Sequence, residues 1–564
     1  MERLQFPRPY VAVALLIAWT ALLTLLSSAW TRRQFELPPA WDHALYLSMG
    51  LRFHRSLEEG GAATLVRQIL HQPSPVAPLF PLTTVPLYRA LGESREVAQL
   101  TLAPYLFLLL LSTALLSAGT GANPSGIALS VFCVSTFTGV VNFSREYMMD
   151  LPAAAMATLG LWMLFRRGLG LPAGFLAGIS LLTKVLAGVF FVGPLVYCVF
   201  AGERRKVPIF VAACLATAGL WLAPHFTEVL HYVRYYGFRE GSLPFRSSSH
   251  PGYYFMILLT QGMGWLLSAA VIPPLVIAWR RSRPDGFLIV WIASGYAILA
   301  LLPNKGGERY VLALLPPIAV LGAHAISKID GRKARSVFVG LAVLAGMLNY
   351  AGITWPSRVS PWTHDHFRPF PHSMSLETHE LGGWPTSAVL QSISDLREGA
   401  PSPSEVESFV QRTNGLADEA FVDAAYRKWL KREPDPAGLD AYLERLTEAS
   451  RPNVVESMTR SEEFRLRPLA VLVVPDHRVF NAATLQYLAE SERRSLGFRR
   501  PTPHGGLGDA DAAILKDGGP QGPWPDSTVP SGILEAIARR AGDAAAFPCP
   551  DGSRILVVPL RTGT

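Results

Sequence analysis

The sequence predicts a mainly α-helical, polytopic membrane protein that carries a small α/β domain near its C-terminal end. Hydrophobic residues make up 50% of the 564-residue chain, and the mean hydropathy of +0.25 is too high for an ordinary soluble enzyme. Eleven apolar runs precede residue 355, and the first of them has about the length that one membrane-spanning helix requires. After residue 355, short helical and strand patterns alternate, which is typical of a layered α/β domain.

Each apolar run predicts one helix in the bilayer. The runs occupy residues 11–30, 97–116, 127–141, 151–165, 171–182, 185–200, 207–223, 253–279, 287–302, 310–326 and 337–353. Several are shorter than a full span, and such helices tilt, break or recruit neighbouring residues. The first run is longer than the apolar part of a secretion signal and many further runs follow it, so we expect it to remain as an anchor.

Lysine and arginine residues predict the orientation, because they accumulate in the cytoplasmic loops of membrane proteins. With a cytoplasmic N-terminus, four basic clusters all lie on the cytoplasmic side, at residues 166–167, 204–206, 280–283 and 328–335. The same rule explains the formal net charge of +8, so no nucleic-acid partner is expected. The extracytoplasmic face then receives Lys184, the chain after residue 354 and the segments 31–96, 142–150, 224–252 and 303–309.

The four cysteines do not predict disulfide or metal chemistry. Cys133, Cys198 and Cys214 fall within apolar runs, and only Cys549 lies in a polar region. An extracytoplasmic pair is therefore missing from the sequence, and thiol redox chemistry is not expected.

The first extracytoplasmic segment begins with a candidate catalytic carboxylate. Asp42 and His43 follow the first apolar run directly, and Tyr46 comes four positions after Asp42. A carboxylate at this point faces an interface where lipid head groups meet water-soluble acceptors. The alternative is a solvated loop aspartate.

Two further candidates lie at the ends of predicted helices. Asp150 precedes Leu151-Pro152 at the start of a helix, with Glu146 just upstream, so its carboxylate is either functional or a helix cap. Lys184 is a lone cation between two apolar runs. It predicts an anionic partner, or else a side chain that extends to the membrane surface.

The segment before the tenth apolar run offers two cations on a glycine-containing backbone. Lys305 and Arg309 flank Gly306-Gly307, and Tyr310 follows. Cations at the membrane surface suit a lipid phosphate. The alternative is a surface loop that merely carries charge.

Together these motifs resemble the GT-C superfamily of membrane glycosyltransferases, and within it the protein mannosyltransferase-like and aminoarabinose transferase-like families. The resemblance covers about residues 8–355. It rests on Asp42 with Tyr46, Asp150-Leu151-Pro152 at the fourth helix, Leu181-Leu182-Thr183-Lys184 before the sixth, and Lys305-x-x-x-Arg309-Tyr310 with Leu315-Pro316-Pro317 at the tenth.

The resemblance implies an inverting glycosyltransferase of the bacterial cytoplasmic membrane. Such enzymes take a sugar from a polyprenyl-phosphate carrier and transfer it to a protein, lipid or polysaccharide acceptor on the extracytoplasmic face. Inverting transfer needs one base for the acceptor hydroxyl, and the resemblance gives that role to Asp42. The departing phosphate needs cations, for which Lys305, Arg309 and Lys184 are the candidates.

One position departs from the pattern of the family. Many relatives carry Asp-Glu where this chain has Asp42-His43. The second carboxylate would then come from Glu146 or Asp150. His43 either orients the acceptor or faces solvent, and Tyr46 and Tyr310 complete the expected substrate-binding set. Since the sequence offers no clear ligand set for a metal, neither a metal nor another cofactor is expected.

Two other function classes remain open from the sequence. A lipid or sugar transporter or flippase would place its critical polar groups near the middle of the bilayer, on broken helices. In this sequence they cluster at one face, which favours the enzyme. If the membrane helices only anchor the C-terminal part, that part should retain its function when it is expressed alone.

The sequence after residue 355 predicts an α/β domain that is interrupted by an inserted helical domain. Residues 356–400 and 467–564 form the α/β domain, with helices expected at 384–396, 481–491 and 533–541 and strands at 469–474, 512–515 and 554–560. Residues 401–466 form an inserted helical domain, in which Pro434-Asp435 ends one helix and caps the next. The insert resembles a domain of unassigned function in bacterial secreted and surface proteins, and the repeat of phycobilisome linkers. It is either a docking module for a protein or glycan partner or an inert spacer.

Overall fold

The computed structural model describes residues 9–34, 38–39, 41–71, 75–166, 169–237, 249–279, 286–302, 307–354, 383–396, 403–430, 433–459, 461, 469–474, 480–500, 510–518, 531–539, 544–550 and 552–560. The chain divides into two compact units. The first comprises Met1–Phe35 and Met49–Leu376, and the second comprises Glu36–Ser48 and Glu377–Thr564. The short segment Glu36–Ser48 therefore groups with the C-terminal part of the chain, although it precedes most of the first unit in sequence.

The first unit is helical in its described segments. Its helices are α1 Pro9–Gln34, α2 Trp41–His71, which starts in the second unit, α3 Leu79–Leu91, α4 Arg95–Leu100, α5 Leu102–Gly119, α6 Pro124–Thr136, α7 Thr138–Phe143, α8 Asp150–Phe165, α9 Gly170–Thr183, α10 Val189–Phe200, α11 Lys206–Leu222, α12 Phe226–Gly237, α13 Ser249–Ile257, α14 Trp265–Trp279, α15 Gly286–Leu301, α16 Leu315–Ser327 and α17 Arg332–Thr354. Turns of 3₁₀-helix occupy Val185–Gly188 and Gly307–Leu314, and Leu258–Gly262 is a π-helical turn.

Several of these helices are long and apolar enough to cross a membrane. In the described part of the chain, four stretches meet that criterion: Tyr10–Ala29, Arg95–Gly119, Gly307–Ser327 and Arg332–Thr354. Two bent pairs of helices meet it if each pair counts as one span, and five shorter apolar helices have 10–17 residues. The protein is therefore a multi-pass membrane protein. All eleven apolar runs of the sequence fall on helices, whereas a count of eleven spans stays a prediction.

Two sharp bends interrupt apolar runs. Lys206–Leu222 and Phe226–Arg234 meet at 91°, and Gly252–Gly262 and Trp265–Val276 meet at 113°. The second bend follows the π-helical turn and passes through Gly264, whose φ of 87° is a conformation open to glycine. Helix α2 is likewise interrupted at Gly61, where φ is 68°.

Small residues let the helices around α9 pack closely. A Cβ atom added to Gly174 of α9 would lie 2.2 Å from the carbonyl oxygen of Phe210 in α11, so only glycine allows this backbone approach. On the other side, the Ser180 hydroxyl donates to the carbonyl oxygen of Ala153 in α8 at 3.0 Å. The glycine thus allows α9 to pack against α11, and the hydrogen bond holds the end of α9 against the start of α8.

The second unit contains a five-stranded mixed sheet with three helices. The strands are β1 Leu469–Val473, β2 Leu496–Arg499, β3 Ala512–Asp517, β4 Ala545–Pro548 and β5 Arg554–Pro559, and the helices are α18 Thr386–Asp395, α23 Ala482–Ser491 and α24 Ser531–Ala538. The spatial order is β2-β1-β3-β5-β4. Strand β1 is parallel to β2 and β3, whereas β5 is antiparallel to β3 and β4. Leu469 lies opposite Leu496, and Ala513 lies opposite Val558.

Alternating side chains of the sheet form two hydrophobic cores, one on each face. Val471 and Ile514 pack with Leu485 of α23 and Val389 of α18 on one face. On the other face Leu472, Ala513 and Val558 pack with Ile537 of α24. The order β1-α23-β2 is a parallel strand-helix-strand unit, which needs a helix as its crossover connection.

The inserted helices have a core of their own. They are α19 Pro403–Arg412, α20 Asp418–Ala425, a π-helical turn Tyr426–Leu430, α21 Pro436–Glu448 and α22 Arg451–Thr459. Phe409, Phe421, Trp429 and Met458 are buried together at its centre. As predicted, Asp435 caps the next helix, with its Oδ1 accepting from the Gly438 amide at 2.8 Å.

The predicted fold class is confirmed, since the structure is mainly helical with a small C-terminal sheet. Three predicted strands and three predicted helices of the α/β domain are present as β1, β3, β5, α18, α23 and α24. Strands β2 and β4 were missed because each has only four residues and little apolar alternation. The boundaries drawn between the domains remain a prediction.

Candidate active site

Asp150 is the first residue of α8, where free backbone amides and the helix dipole favour a negative charge. Its side chain is 1% exposed, and its Oδ1 forms an ion pair with the Lys184 ammonium group. Its Oδ2 is buried without a hydrogen-bond partner among the described residues. One carboxylate oxygen thus holds a cation, and the other has no hydrogen-bond donor among the described residues.

Lys184 reaches Asp150 because the backbone breaks at that residue. Helix α9 ends at Thr183, Lys184 is extended with φ −155° and ψ 116°, and a 3₁₀ turn follows. The side chain is 19% exposed. The anionic partner that the sequence predicted for this lone lysine is Asp150, and the pair joins the ends of two membrane helices.

Arg309 and Tyr310 bring a second cation and an aromatic ring to the same place. Both belong to the 3₁₀ turn Gly307–Leu314 that opens into α16. The Lys184 Nζ lies 4.7 Å from the centre of the Tyr310 ring, and the Arg309 Cζ lies 5.4 Å from it. Contacts of cations with the ring face are favourable, so the tyrosine supports two neighbouring positive charges.

These four residues line one cleft. The empty space around them, open solvent included, is about 280 Å³. The other walls come from Ala153, Ala154, Leu186, Ala187, Phe190, Leu312 and Ala313. The lining therefore combines two cations, one carboxylate and a phenol with an apolar wall. That combination suits an anionic head group on an apolar chain.

Asp42, His43 and Tyr46 belong to the second unit, at the start of α2. Asp42 lies in the first turn of this helix and is partly buried, so it is not the loop residue that the sequence suggested. His43 and Tyr46 are 3% and 8% exposed, so His43 does not face solvent. Asp42 and Tyr46 are four residues apart and share a face of the helix.

Glu146 and Lys305 do not join the cleft in the described structure. Glu146 is buried four residues before Asp150 but is not among the residues that line the cleft. Lys305 lies outside the described residues. Next to Glu146, the Arg145 guanidinium is buried, donates to the Thr354 hydroxyl at 2.5 Å and lies 5.0 Å from the Tyr350 ring centre.

Glu308 is a carboxylate that the sequence reasoning missed. It lies next to Arg309 in the 3₁₀ turn and is 2% exposed. The motif stands out in the sequence for its cations, and a glutamate between glycine and arginine gives no sign of burial. The described residues contain no group of three or more His, Cys, Asp or Glu side chains that could hold a metal ion.

Comparison with solved structures identifies the fold. The crystal structure of ArnT from Cupriavidus metallidurans bound to undecaprenyl phosphate matches with a TM-score of 0.53 and 13% identity, over 98% of this chain and 98% of that chain. Its apo state gives a TM-score of 0.50 and 13% identity, over 97% and 98%. The protein has the GT-C fold. At this level of identity, the likeness establishes the GT-C fold alone.

Other comparisons concern parts of the chain or give weaker likenesses. The archaeal oligosaccharyltransferase AglB from Archaeoglobus fulgidus, in complex with an inhibitory peptide and a dolichol-phosphate, has a TM-score of 0.44 and 12% identity, over 85% of this chain and 64% of that chain. Residues 400–467 match the family described as Domain of unknown function (DUF4214). The predicted resemblance of the insert to a domain of unassigned function is thereby confirmed. No curated protein matches the chain.

Proposed function

We propose that this protein is an integral membrane glycosyltransferase that moves a sugar from a polyprenyl-phosphate carrier to an extracytoplasmic acceptor, with inversion at the anomeric carbon. The observation that carries the proposal is the cleft of Asp150, Lys184, Arg309 and Tyr310 in a chain with the GT-C fold. The ArnT crystal structure with the same fold holds undecaprenyl phosphate, a lipid of the proposed carrier class.

The leaving group of this reaction is a lipid phosphate. When the bond between the anomeric carbon and the phosphate oxygen breaks, negative charge grows on that oxygen, and cations placed there stabilise the transition state. Lys184 and Arg309 are proposed for this role, with Lys305 as a third cation. Tyr310 contacts both described cations and completes the phosphate site.

The acceptor hydroxyl needs a base, and Asp42 is proposed for it. As the acceptor oxygen attacks the anomeric carbon, Asp42 takes the hydroxyl proton, and polyprenyl phosphate departs from the opposite face of the sugar. His43 and Tyr46, on the same helical turns, are proposed to contact the acceptor or the sugar. Asp150 is proposed as the second carboxylate, which orients Lys184 through Oδ1 and accepts a substrate hydroxyl at Oδ2. Glu146 is a less direct candidate, because it does not line the described cleft.

The membrane orientation is part of the proposal. The N-terminus is placed in the cytoplasm, and the cleft and the chain after residue 354 lie on the extracytoplasmic side of the bacterial cytoplasmic membrane. The proposed domains are residues 1–355 for the transferase, 356–400 and 467–564 for the α/β domain, and 401–466 for the insert. The separate core of the insert supports its proposed role as a docking module for a protein or glycan.

The test is mass spectrometry of polyprenyl-phosphate sugars in membranes of three strains: native, deletion, and Asp42→Asn. We expect one such lipid to accumulate in both altered strains, and its mass identifies the class of the donor sugar. Asp330→Asn is the matched control, since Asp330 is exposed in the turn before α17 and should leave lipid levels unchanged.

Each departure from that pattern has a defined meaning. Accumulation in the deletion strain alone would retain the transferase and reject Asp42 as its base. Unchanged lipid levels in the deletion strain, together with loss of transport of such a lipid, would favour the flippase alternative.

A further inference from the structure

We propose that Thr484 of α23, in the C-terminal α/β domain, is a positioning residue for the helical turn that carries Asp42. This inference rests on the proposed function, since it takes Asp42 as the base. It assigns a role to a residue 442 positions away in sequence from the carboxylate it positions.

The contact itself is direct. The Thr484 hydroxyl donates to the carbonyl oxygen of Pro39 at 2.8 Å, and both residues are buried. The segment Glu36–Ser48 that contains Pro39 and Asp42 groups with the α/β domain as one compact unit. The start of α2 is therefore held by the domain that follows the membrane helices in sequence.

The donor side of this contact is rigid. Asn481 caps α23, with its Oδ1 accepting from the Thr484 amide at 3.0 Å, and neither residue is exposed. Leu485 and Ala489 anchor the same helix in the core of the sheet. A β-branched threonine in a helix also has few rotamers. The hydroxyl thus has a fixed position from which to bind the Pro39 carbonyl.

The acceptor carbonyl belongs to a residue three positions before Asp42, so the constraint acts close to the proposed base. Pro39 lies two residues before Trp41, the first residue of α2, and Pro38 and Pro39 have restricted φ angles. The first turn of a helix lacks internal partners for its amides and opens most readily. A catalytic group must be held within about 0.5 Å of its productive position, so a tie at this point matters for a base in the first turn.

The first test is hydrogen exchange of the full-length, detergent-purified protein, read at the amides of residues 41–48. Thr484→Val removes the donor at nearly constant shape and should speed this exchange about fivefold to tenfold, the effect of losing one buried hydrogen bond. Thr484→Ser keeps the hydroxyl and should stay within about twofold of the native rate.

Gln486→Met is the matched control on the same helix. Gln486 accepts from the Phe498 amide at 2.9 Å, so its replacement should loosen β2 and leave residues 41–48 unchanged. Equal loosening of residues 41–48 by Gln486→Met and Thr484→Val would overturn the inference, because the effect would then be general destabilisation. Native exchange rates at these residues in Thr484→Val would overturn it as well.

The second test uses the lipid measurement described above. Thr484→Val should raise the level of the polyprenyl-phosphate sugar at least threefold over native membranes, and Thr484→Ser should restore the native level. Native levels in Thr484→Val would reject the positioning role. Because hydrogen exchange does not depend on any activity, failure of Asp42→Asn to alter the lipid would reject the base assignment separately from the contact.

Discussion

Asp150–Lys184 in the membrane unit and Asp423–Arg427 in the insert are ion pairs of similar chemistry in opposite surroundings. The first pair has side chains 1% and 19% exposed and lines the cleft. In the second pair the side chains are 39% and 58% exposed, four residues apart on a helix surface, with the Asp423 Oδ2 and the Arg427 Nε 2.9 Å apart. One pair is removed from water, and the other is solvated.

The contribution of an ion pair to stability depends on its exposure. An exposed pair gains little, because water and salt screen it and the side chains lose freedom. A buried pair costs desolvation energy that its attraction barely offsets, so stability alone gives no reason to keep it. We therefore propose that the Asp150–Lys184 pair serves chemistry that needs a fixed cation, and the predictions below test this contrast.

The largest effect is expected from Lys184→Met. It leaves the Asp150 carboxylate buried without its cation and should destabilise the protein by about 3–5 kcal/mol. Sugar transfer should fall at least about 100-fold, since a charge at the leaving group is lost. Thermal unfolding in detergent and the rate of lipid-linked sugar consumption measure the two effects. A native rate of sugar transfer in Lys184→Met would show that Lys184 is not part of the active site.

The double variant Asp150→Leu/Lys184→Met separates stability from function. Replacing both charges by apolar groups should recover most of the stability that the single variant loses, because no buried charge is left unpaired. Transfer should stay as low as in Lys184→Met. If the double variant is as unstable as the single one, the pair is structural and its role in the cleft is in doubt.

An intermediate effect is expected at Glu93, which joins the turn before α4 to α2. Its Oε2 accepts from the Arg55 Nη2 at 2.7 Å, and its Oε1 lies 2.9 Å from the His54 Nδ1. Glu93→Gln should cost about 1.5–3 kcal/mol at neutral pH, the range for hydrogen bonds to charged groups. Glu58 is the other carboxylate at His54, with its Oε1 3.2 Å from the Nε2.

The Glu93 contacts also predict the direction of a pH dependence. Burial acts to raise the pKa of Glu93, but the hydrogen bonds and charges of Arg55 and His54 outweigh it and hold that pKa below its ordinary value of 4.5. The stabilisation is therefore complete above pH 4.5 and is lost as the pH falls through the lower pKa of the folded state. Unfolding midpoints measured from pH 7 downward should fall in the native protein as this stabilisation is lost. An identical pH dependence of the midpoint in Glu93→Gln would refute the role of Glu93.

The smallest effect is expected from Asp423→Asn in the insert. Its partner Arg427 is exposed and also lies 2.9 Å from Glu433, measured from the Arg427 Nη2 to the Glu433 Oε1. We expect no measurable change in the unfolding midpoint or in transfer. A large loss of stability in Asp423→Asn would mean that side-chain exposure does not explain the different contributions of the two ion pairs.

Apolar patterning predicted most of the fold, because long hydrophobic runs have few alternatives to a helix in a membrane. It did not predict the bends of 91° and 113°, since a bend depends on local turns and on neighbouring helices. It also did not predict that helical structure begins at Trp41, or that the chain kinks at Gly61, where two helices meet. The glycine pair Gly60-Gly61 is visible in the sequence, but it does not predict in which direction the chain continues after the kink.

The site was predictable where charge stands out against apolar surroundings. Lys184 signalled a buried partner because it lies alone between hydrophobic runs, and Asp150 is that partner. Thr484 and Glu308 could not be found in this way. A threonine in a soluble helix and a glutamate beside an arginine are ordinary in sequence, and only the folded chain reveals a contact 445 residues distant or a carboxylate 2% exposed.

The most direct test of the central claim uses purified full-length protein and membranes of the deletion strain, which supply both the accumulated lipid and the acceptor but no native enzyme. The account predicts that the native protein consumes a polyprenyl-phosphate sugar and releases polyprenyl phosphate, and that Lys184→Met releases almost none. If the native protein leaves every such lipid intact while hydrogen exchange shows that the protein is folded, the glycosyltransferase assignment is wrong.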